Sequence, residues 1–336
     1  MFRTDSAVKF EPPEESLTMT RLVRVARKWR EAHRVFAFEL EDASGSPLPS
    51  FSAGSHIDVH LPGGLIRQYS LCGPDDEHGR YEIAVQHETN SRGGSDTLCL
   101  SVHQGDMLEI SDPRNHFPLL PADDTLLLAG GIGITPLLCM AQRLATVRAR
   151  FQLHYCTQTH DRTAFFDRIG QSGYAGNALF HFDDGDPAQK LDITAVLARP
   201  GTAKHLYVCG PPGFLQFVRE QARLGGWVGD NVHFEYFSPP VEQAQAASTG
   251  FQVVIASTGQ SVMVAADEPV TEALARVGVD IPRSCEVGVC GTCLTRVIEG
   301  IPDHRDYFLS DAQRAANDQF LPCCSRSKSA RLVLDI

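Results

Sequence analysis

No run of apolar residues in this 336-residue chain approaches the ~18 that a membrane-spanning helix requires, so the protein reads as soluble. Basic residues are in deficit. Thirty Lys and Arg stand against 41 Asp and Glu, a formal charge of −11, and the basic stripe that nucleic acid demands is missing. The first residues, MFRTDSAVKFEPPEESLT, have neither the basic n-region nor the apolar h-region of a secretory signal. Residues 1–18, mixing acids with prolines, read as a disordered tail, and cytoplasmic residence is the default expectation. None of the 13 histidines stands at metal-binding spacing from another His or acid, which leaves His56 and His60 as structural residues. Internal repeats and low-complexity tracts are absent. What is present is a 43% hydrophobic composition, enough for two or three packed domains.

Ten cysteines fall into two sets. Cys72, Cys99, Cys139, Cys156 and Cys209 are scattered at or near apolar stretches and read as free thiols. The others gather near the C-terminus: Cys285, Cys290 and Cys293 in CEVGVCGTC, then Cys323 and Cys324 in LPCCSR. A C-x4-C-x2-C run with a distant fourth cysteine is the spacing that wraps a plant-type [2Fe–2S] cluster. Gly288 and Gly291 let the loop curl so that amide N–H groups can point at sulfides whose charge would otherwise be buried unpaired. Structural zinc prefers paired C-x2-C knuckles, and only one such pair occurs. Spacing alone does not choose between Cys323 and Cys324.

Three textures follow one another. Residues 19–120 carry short β runs (22–26, 35–40, 56–61, 68–72 and 81–86) between Gly, Pro and Asp clusters, the pattern of a small antiparallel barrel. Residues 121–237 alternate apolar strands with helices at 136–146 and 212–224, the pattern of a parallel sheet covered by helices. Residues 238–249 (SPPVEQAQAAST) read as a linker. Residues 250–336 supply strands around the cysteine loop and a helix near 271–276.

Each of the first two segments carries binding motifs. Arg67-Gln68-Tyr69-Ser70 ends a strand whose alternation puts Arg67 and Tyr69 on one face and Ser70 on the other. A flavin needs a cation for its phosphate, an aromatic beside its rings and a hydrogen bond at its N5/O4 edge, and this tetrapeptide offers all three. Ser91-Arg92-Gly93-Gly94-Ser95 precedes a helix expected near Asp96 and suits a phosphate cradle, with Asp96 turned to solvent. Gly130-Gly131-Ile132-Gly133-Ile134-Thr135-Pro136 lies between a strand and a helix, with Thr135 expected as N-cap and Pro136 at the first helical position, a site for a pyrophosphate. It departs from the Rossmann fingerprint: a proline replaces the third glycine and no acid ends the next strand. Cys209-Gly210-Pro211-Pro212 closes another strand and sets a thiol at the carboxyl edge of the sheet. His233-Phe234-Glu235-Tyr236-Phe237 is either plain core or a cover for one flavin face.

These motifs, in this order, resemble the phthalate dioxygenase reductase family, from about Arg21 to the C-terminus. The resemblance implies an antiparallel β-barrel flavin domain, an α/β parallel-sheet nucleotide domain and a C-terminal α+β ferredoxin domain of β-grasp type. It implies FMN, in place of FAD, bound by RQYS and SRGGS, and NADH bound by GGIGITP and VCGPP. HFEYF becomes the flavin-shielding segment. Ser70, Thr135, Cys209, Phe234 and Glu235 then stand at the site of hydride transfer. Cys323 becomes the fourth iron ligand and Cys324 a small buried hydrophobe, because the family pattern places an apolar residue after that ligand. Neutral residues after the second sheet strand (Cys156-Thr157-Gln158-Thr159) favour NADH over NADPH, with Arg162 and Asp161 nearby pulling in opposite directions. The implied partner is a Rieske-type oxygenase, met by Val287 and Val289 with Glu286 and Arg283 at the rim, and the free protein is expected to be a monomer. Two other classes share some of these features: a flavin reductase for another acceptor, and a non-enzymatic protein with a structural zinc site.

Overall fold

The computed structural model describes residues 20–76, 79–91, 93–239 and 249–336. The N-terminal tail, Arg92 and most of the expected linker lie outside them.

Six strands, β1 (Thr20–Ala32), β2 (Val35–Asp42), β3 (His56–Leu61), β4 (Leu65–Ser70), β5 (Arg80–Gln86) and β6 (Met107–Ser111), form an antiparallel sheet in the order β4-β3-β6-β1-β2-β5. A bridge between Leu71 and Ile83 joins the two ends and closes it into a barrel. Alternate side chains point inward, so Val23, Phe38, Ile57, Val59, Ile83 and Ile110 fill the interior. A helical turn at Gly94–Asp96 continues into a π-helical turn at Thr97–Ser101. Lys28, on the long β1, ties that turn down by donating to the carbonyls of Leu98, Cys99 and Val102 at 3.1, 2.7 and 2.6 Å.

The second sheet is wholly parallel: β7 (Asp124–Gly130), β8 (Phe151–Thr157), β9 (Ala178–Phe182), β10 (Lys204–Cys209) and β11 (Val232–Glu235), in the order β11-β10-β7-β8-β9. Helices cover both faces, so β7 is apolar from Leu126 to Ala129: Leu126 and Leu128 enter one core, Leu127 and Ala129 the other. The second of these cores crosses into the barrel, where Val35, Ala37, Ala84 and Phe117 pack with Leu127, Ile134, Leu137 and Tyr155. Arg168 reinforces the junction with two hydrogen bonds to Glu82, at 2.7 and 2.9 Å. The Phe165 N–H adds a third by donating to Glu31 (2.9 Å).

In the last segment β12 (Phe251–Ile255), β13 (Ser261–Val264), β14 (Thr295–Glu299), β16 (Gln319–Phe320) and β18 (Arg331–Leu334) make a mixed sheet, order β13-β12-β18-β14-β16, with a two-strand ladder of β15 (Pro302–Asp303) and β17 (Arg326–Ser327) beside it. The helix Val270–Ala275 packs on the sheet, giving the ferredoxin arrangement. The core of this segment is built entirely from residues between Phe251 and Ile336.

One expectation fails locally. The helix over the GGIGITP motif begins at Ile134, preceded by a 3-10 turn at Gly131–Gly133, so Gly133 is the N-cap and Thr135 and Pro136 lie inside the first turn. Gly131, at φ +53°, makes the bend that starts the helix early. Thr135 turns its hydroxyl back to the Ile132 carbonyl (3.1 Å) instead of capping. Pro136 is tolerated there because the first N–H groups of a helix have no intrahelical partner. The helix Pro212–Leu224, with Pro212 first, is as expected. No helix among the described residues is long and apolar enough to cross a membrane.

Candidate functional site

A cleft of about 850 Å³ opens where the three sheets meet. Its walls come from the strand end expected to meet a flavin (Arg67, Gln68, Tyr69, Ser70), the loop expected to hold its phosphate (Ser91, Gly94, Ser95), the two loops of the parallel sheet (Gly131, Ile132, Thr135; Gly210, Pro211, Pro212), the segment Phe234–Ser238, and the loop expected to hold iron (Cys285, Val287, Val289, Cys290). All four residues of RQYS reach it. Both faces of the strand end contribute, contrary to the simple alternation.

The Arg67 side chain lies across Gly94, where a Cβ would meet its Cγ at 2.7 Å. This close approach joins RQYS to the phosphate loop and explains a glycine there. Ser91 organises that loop, its Oγ accepting from the N–H groups of Gly93 (3.0 Å) and Asp96 (3.3 Å). Ser95 Oγ accepts from the Glu88 N–H (3.2 Å), and Asp96, no part of the cleft wall, pairs with His87 (2.8 Å). Arg92 falls outside the described residues. Burial pushes the Tyr69 phenol well up, so it stays neutral at the wall.

The two nucleotide loops interlock through backbone. A Cβ on Gly133 would stand 2.3 Å from the Cys209 carbonyl oxygen, and one on Gly210 3.0 Å from Gly130 Cα. Gly130 and Gly133 thus serve the packing of loop on loop, while Gly131 lines the cleft. The helices Ile134–Thr146 and Pro212–Leu224 start here without side-chain caps. Their free N–H groups make the rim attractive to an anion.

Cys209 is the largest departure from expectation. It is fully buried, beneath the wall and not on it, with its Sγ 3.9 Å from Glu235 Oε2. Parallel pairing sets Cys209 beside Glu235 on β11, which is why the two meet. Burial pushes Glu235 up to about 8, against a hydrogen bond from Cys209, and burial raises the thiol strongly as well. Phe234 and Glu235 both line the cleft, and Phe237 is exposed at its mouth.

Sequence reasoning passed over several wall residues. His56, set aside as structural, lines the cleft with its Nε2 buried and unpartnered, its pKa lowered to about 3 by burial and by Arg114. His116 lies tilted 5.3 Å from it and edge-on to Phe308 (5.3 Å), and Tyr307 lies 5.5 Å from Tyr236. These ring contacts, a hydrogen bond from Ser284 to Asp58 (3.1 Å) and one from Gln68 to Thr292 (3.4 Å) seat the ferredoxin segment on the rest. Aromatic residues in HRDYF were the available signal, but nothing local says what they face.

The four cysteines sit as two pairs. A hydrogen bond from Cys285 holds the Cys290 thiol down to about 6, and hydrogen bonds from Cys293 and then Cys324 hold Cys323 down to about 4. Among the described residues no three Cys, His, Asp or Glu converge as they would on a single ion. In each pair the donating thiol, Cys285 or Cys293, is itself raised, and two facing pairs of sulfurs suit a two-iron cluster. The Val287 N–H points at Cys285 Sγ (3.5 Å). Gly291 (φ +74°) has the Phe308 ring where a Cβ would go, at 2.3 Å, and Gly288 (φ +78°) has Cys324 Sγ at 2.5 Å, so the loop is built tightly around its sulfurs. Cys324 is half-buried against this loop, a packing residue that also touches Cys323.

A barrel with a flavin-type strand, a parallel sheet with two anion-seeking loops and a paired-cysteine iron loop, all opening on one cleft, define a pyridine-nucleotide-dependent flavin and iron–sulfur reductase. The family described as "2Fe-2S iron-sulfur cluster binding domain" matches residues 253–328. The vanillate O-demethylase oxidoreductase of Pseudomonas sp. (strain HR199 / DSM 7063) is 48% identical over 306 residues, 91% of this chain and 96% of that one. A solved structure of phthalate dioxygenase reductase, described as modular for electron transfer from pyridine nucleotides to [2Fe-2S], is 39% identical with TM-score 0.71, covering 94% of this chain and 98% of its own. An intact type IV self-sufficient cytochrome P450 monooxygenase is 35% identical with TM-score 0.86 over 99% of this chain and 43% of its own. The chain belongs to the phthalate dioxygenase reductase family of oxygenase reductase components.

Proposed function

We propose that the protein takes electrons from NADH and delivers them singly to a Rieske-type oxygenase in the cytoplasm, with residues 19–120 holding FMN, 121–237 holding NADH and 250–336 holding the [2Fe–2S] cluster. The observation that carries this is the common cleft, in which flavin strand, nucleotide loops and iron loop are all wall residues. When bound, FMN accepts the hydride of NADH and the cluster carries one electron at a time.

The protein's part is positional. Arg67, with Ser91, Gly94 and Ser95, would hold the flavin phosphate, Tyr69 would lie beside the rings and Ser70 would donate at their N5/O4 edge. Gly131, Thr135 and the Gly210–Pro212 turn would seat the pyrophosphate and nicotinamide against uncapped helix ends. Cys209 acts from below through Glu235, and Phe234 and Phe237 keep water from the mouth. Cys285, Cys290, Cys293 and Cys323 would hold the iron. Arg162 donates to Gln158 (2.6 Å), and the neutral Cys156-Thr157-Gln158-Thr159 stretch beside it supports NADH over NADPH.

The test is reconstitution with candidate Rieske oxygenases, where NADH-driven substrate turnover is expected. The P450 likeness favours one alternative, a haem acceptor, and turnover with a P450 but with no Rieske oxygenase would establish that instead. A purified chain without visible iron–sulfur absorbance would fit neither.

A further inference from the structure

Among the described residues a side-chain hydrogen bond runs from the flavin strand to the iron loop, between Gln68 and Thr292. Gln68 Nε2 lies 3.4 Å from Thr292 Oγ1, and that oxygen lies 3.3 Å from Cys290 Sγ. Gln68 is a wall residue of the cleft, and Thr292 stands in sequence between two iron ligands. An amide nitrogen can only donate, whereas a hydroxyl has one proton to give and lone pairs with which to accept. Once Cys290 is a thiolate ligand, Thr292 accepts from Gln68 and its proton is directed to the sulfur. A ligand sulfur that receives a hydrogen bond favours the reduced, more negative cluster, so the reduction potential rises.

We propose that Gln68 and Thr292 form a relay between domains that tunes the cluster, so that the iron–sulfur potential depends on a side chain of the flavin domain. The relay deepens the electron-transfer reading above. Its strength is set by seating, because the ferredoxin segment has a core of its own and meets the barrel here through a handful of polar and ring contacts. A neutral hydroxyl polarised by a neutral amide is a fine adjustment, suited to matching two carriers that must pass electrons in one direction.

The experiment is an EPR-monitored reductive titration of the intact holoprotein, with neither NADH nor oxygenase present, so its outcome is independent of the partner. Thr292→Val keeps the shape and removes the hydroxyl. At a fixed ambient potential the ratio of reduced to oxidised cluster should fall about three- to tenfold, a tenfold change being 59 mV for one electron. Thr292→Ser should keep the wild-type value. Gln68→Met, of similar length but without a donor, should shift the ratio in the same direction by less, and should add nothing in the Thr292→Val background. If Thr292→Val fails to assemble a cluster, Thr292→Ala supplies the comparison. An unchanged potential in a hydroxyl-free variant with intact cluster spectra overturns the relay. So does a Gln68→Met shift of equal size in both backgrounds.

Discussion

Replacing Gly133 by alanine tests whether the interlocked loops position the nicotinamide. The backbone there is unstrained for alanine, at φ −62°, and at an N-cap without a side-chain hydrogen bond the change from glycine to alanine costs at most about 1 kcal/mol, so local propensity alone predicts a small effect. Packing predicts a large one. The new Cβ would fall 2.3 Å from the Cys209 oxygen, 2.4 Å from its carbon and 2.5 Å from the Gly210 nitrogen, all backbone atoms that cannot rotate aside. To restore ordinary contact the two loops must part by about 1 Å, and overpacking of this kind costs ~1–3 kcal/mol. A displacement of that size between reacting groups costs ~100-fold in rate. Steady-state NADH–ferricyanide kinetics should therefore show kcat/KM about a hundredfold lower, with FMN and iron contents unchanged. Gly170→Ala is the control: it lies away from the cleft wall, its Cβ would meet nothing within 4 Å, and its backbone is not left-handed. It should leave FMN content and kcat/KM close to wild type. Wild-type kcat/KM in a folded Gly133→Ala protein would refute the loop-on-loop argument.

Cys323→Ser should bleach or destabilise the cluster, since a hard oxygen poorly replaces thiolate, whereas Cys324→Ala should keep the visible spectrum and cost ~1 kcal/mol of packing; the opposite pattern would exchange their roles. Arg168→Ala should destabilise the protein by ~2–3 kcal/mol in urea titrations, because it strands Glu82, whose side chain is only 16% exposed and whose pKa burial already raises; Glu82→Leu with Arg168→Leu should recover most of that loss. His154 is buried, with its pKa lowered to about 4 by burial, then by His181 and Lys204. Its unfolded form binds protons below pH ~6.5 while the native form does not, so stability should fall as pH drops from ~6.5 towards 4, by up to ~3 kcal/mol from this group; His154→Leu should make that limb of the urea midpoint against pH shallower, leaving the share of His56 and His233.

Much of this architecture is legible in the sequence where one local signal suffices. β3 runs from His56 to Leu61 and a helix from Pro212 to Leu224, as alternation and an N-terminal proline predict. The iron loop reads from cysteine spacing, because ligand geometry dictates it. Signals that compete are read less well. Thr135 is an apt cap by residue type, but the turn at Gly131 starts the helix before it. Cys209 sits at the end of its strand as expected, yet parallel pairing with Glu235 seals it under the wall. β1 extends to Ala32 through RKWREA because Lys28 finds three carbonyls on the π turn, a tertiary contact with no local pattern. Tyr307, Phe308, His116 and Gln68 are important only for what faces them across a seam, which no stretch of sequence announces.

The core that crosses from the barrel into the parallel sheet has a consequence for inheritance. Val35, Ala37, Ala84 and Phe117 have no apolar neighbours to replace Leu127, Ile134 and Tyr155, so a recombination event between the two lobes would leave both with an open interior. The iron–sulfur segment closes its own core and can be gained, lost or moved as a unit at the cost of seam contacts alone, without opening another core. Flavin and nucleotide lobes are thus bound to travel together through evolution, while the electron-exit module is free to be exchanged when a new acceptor has to be served.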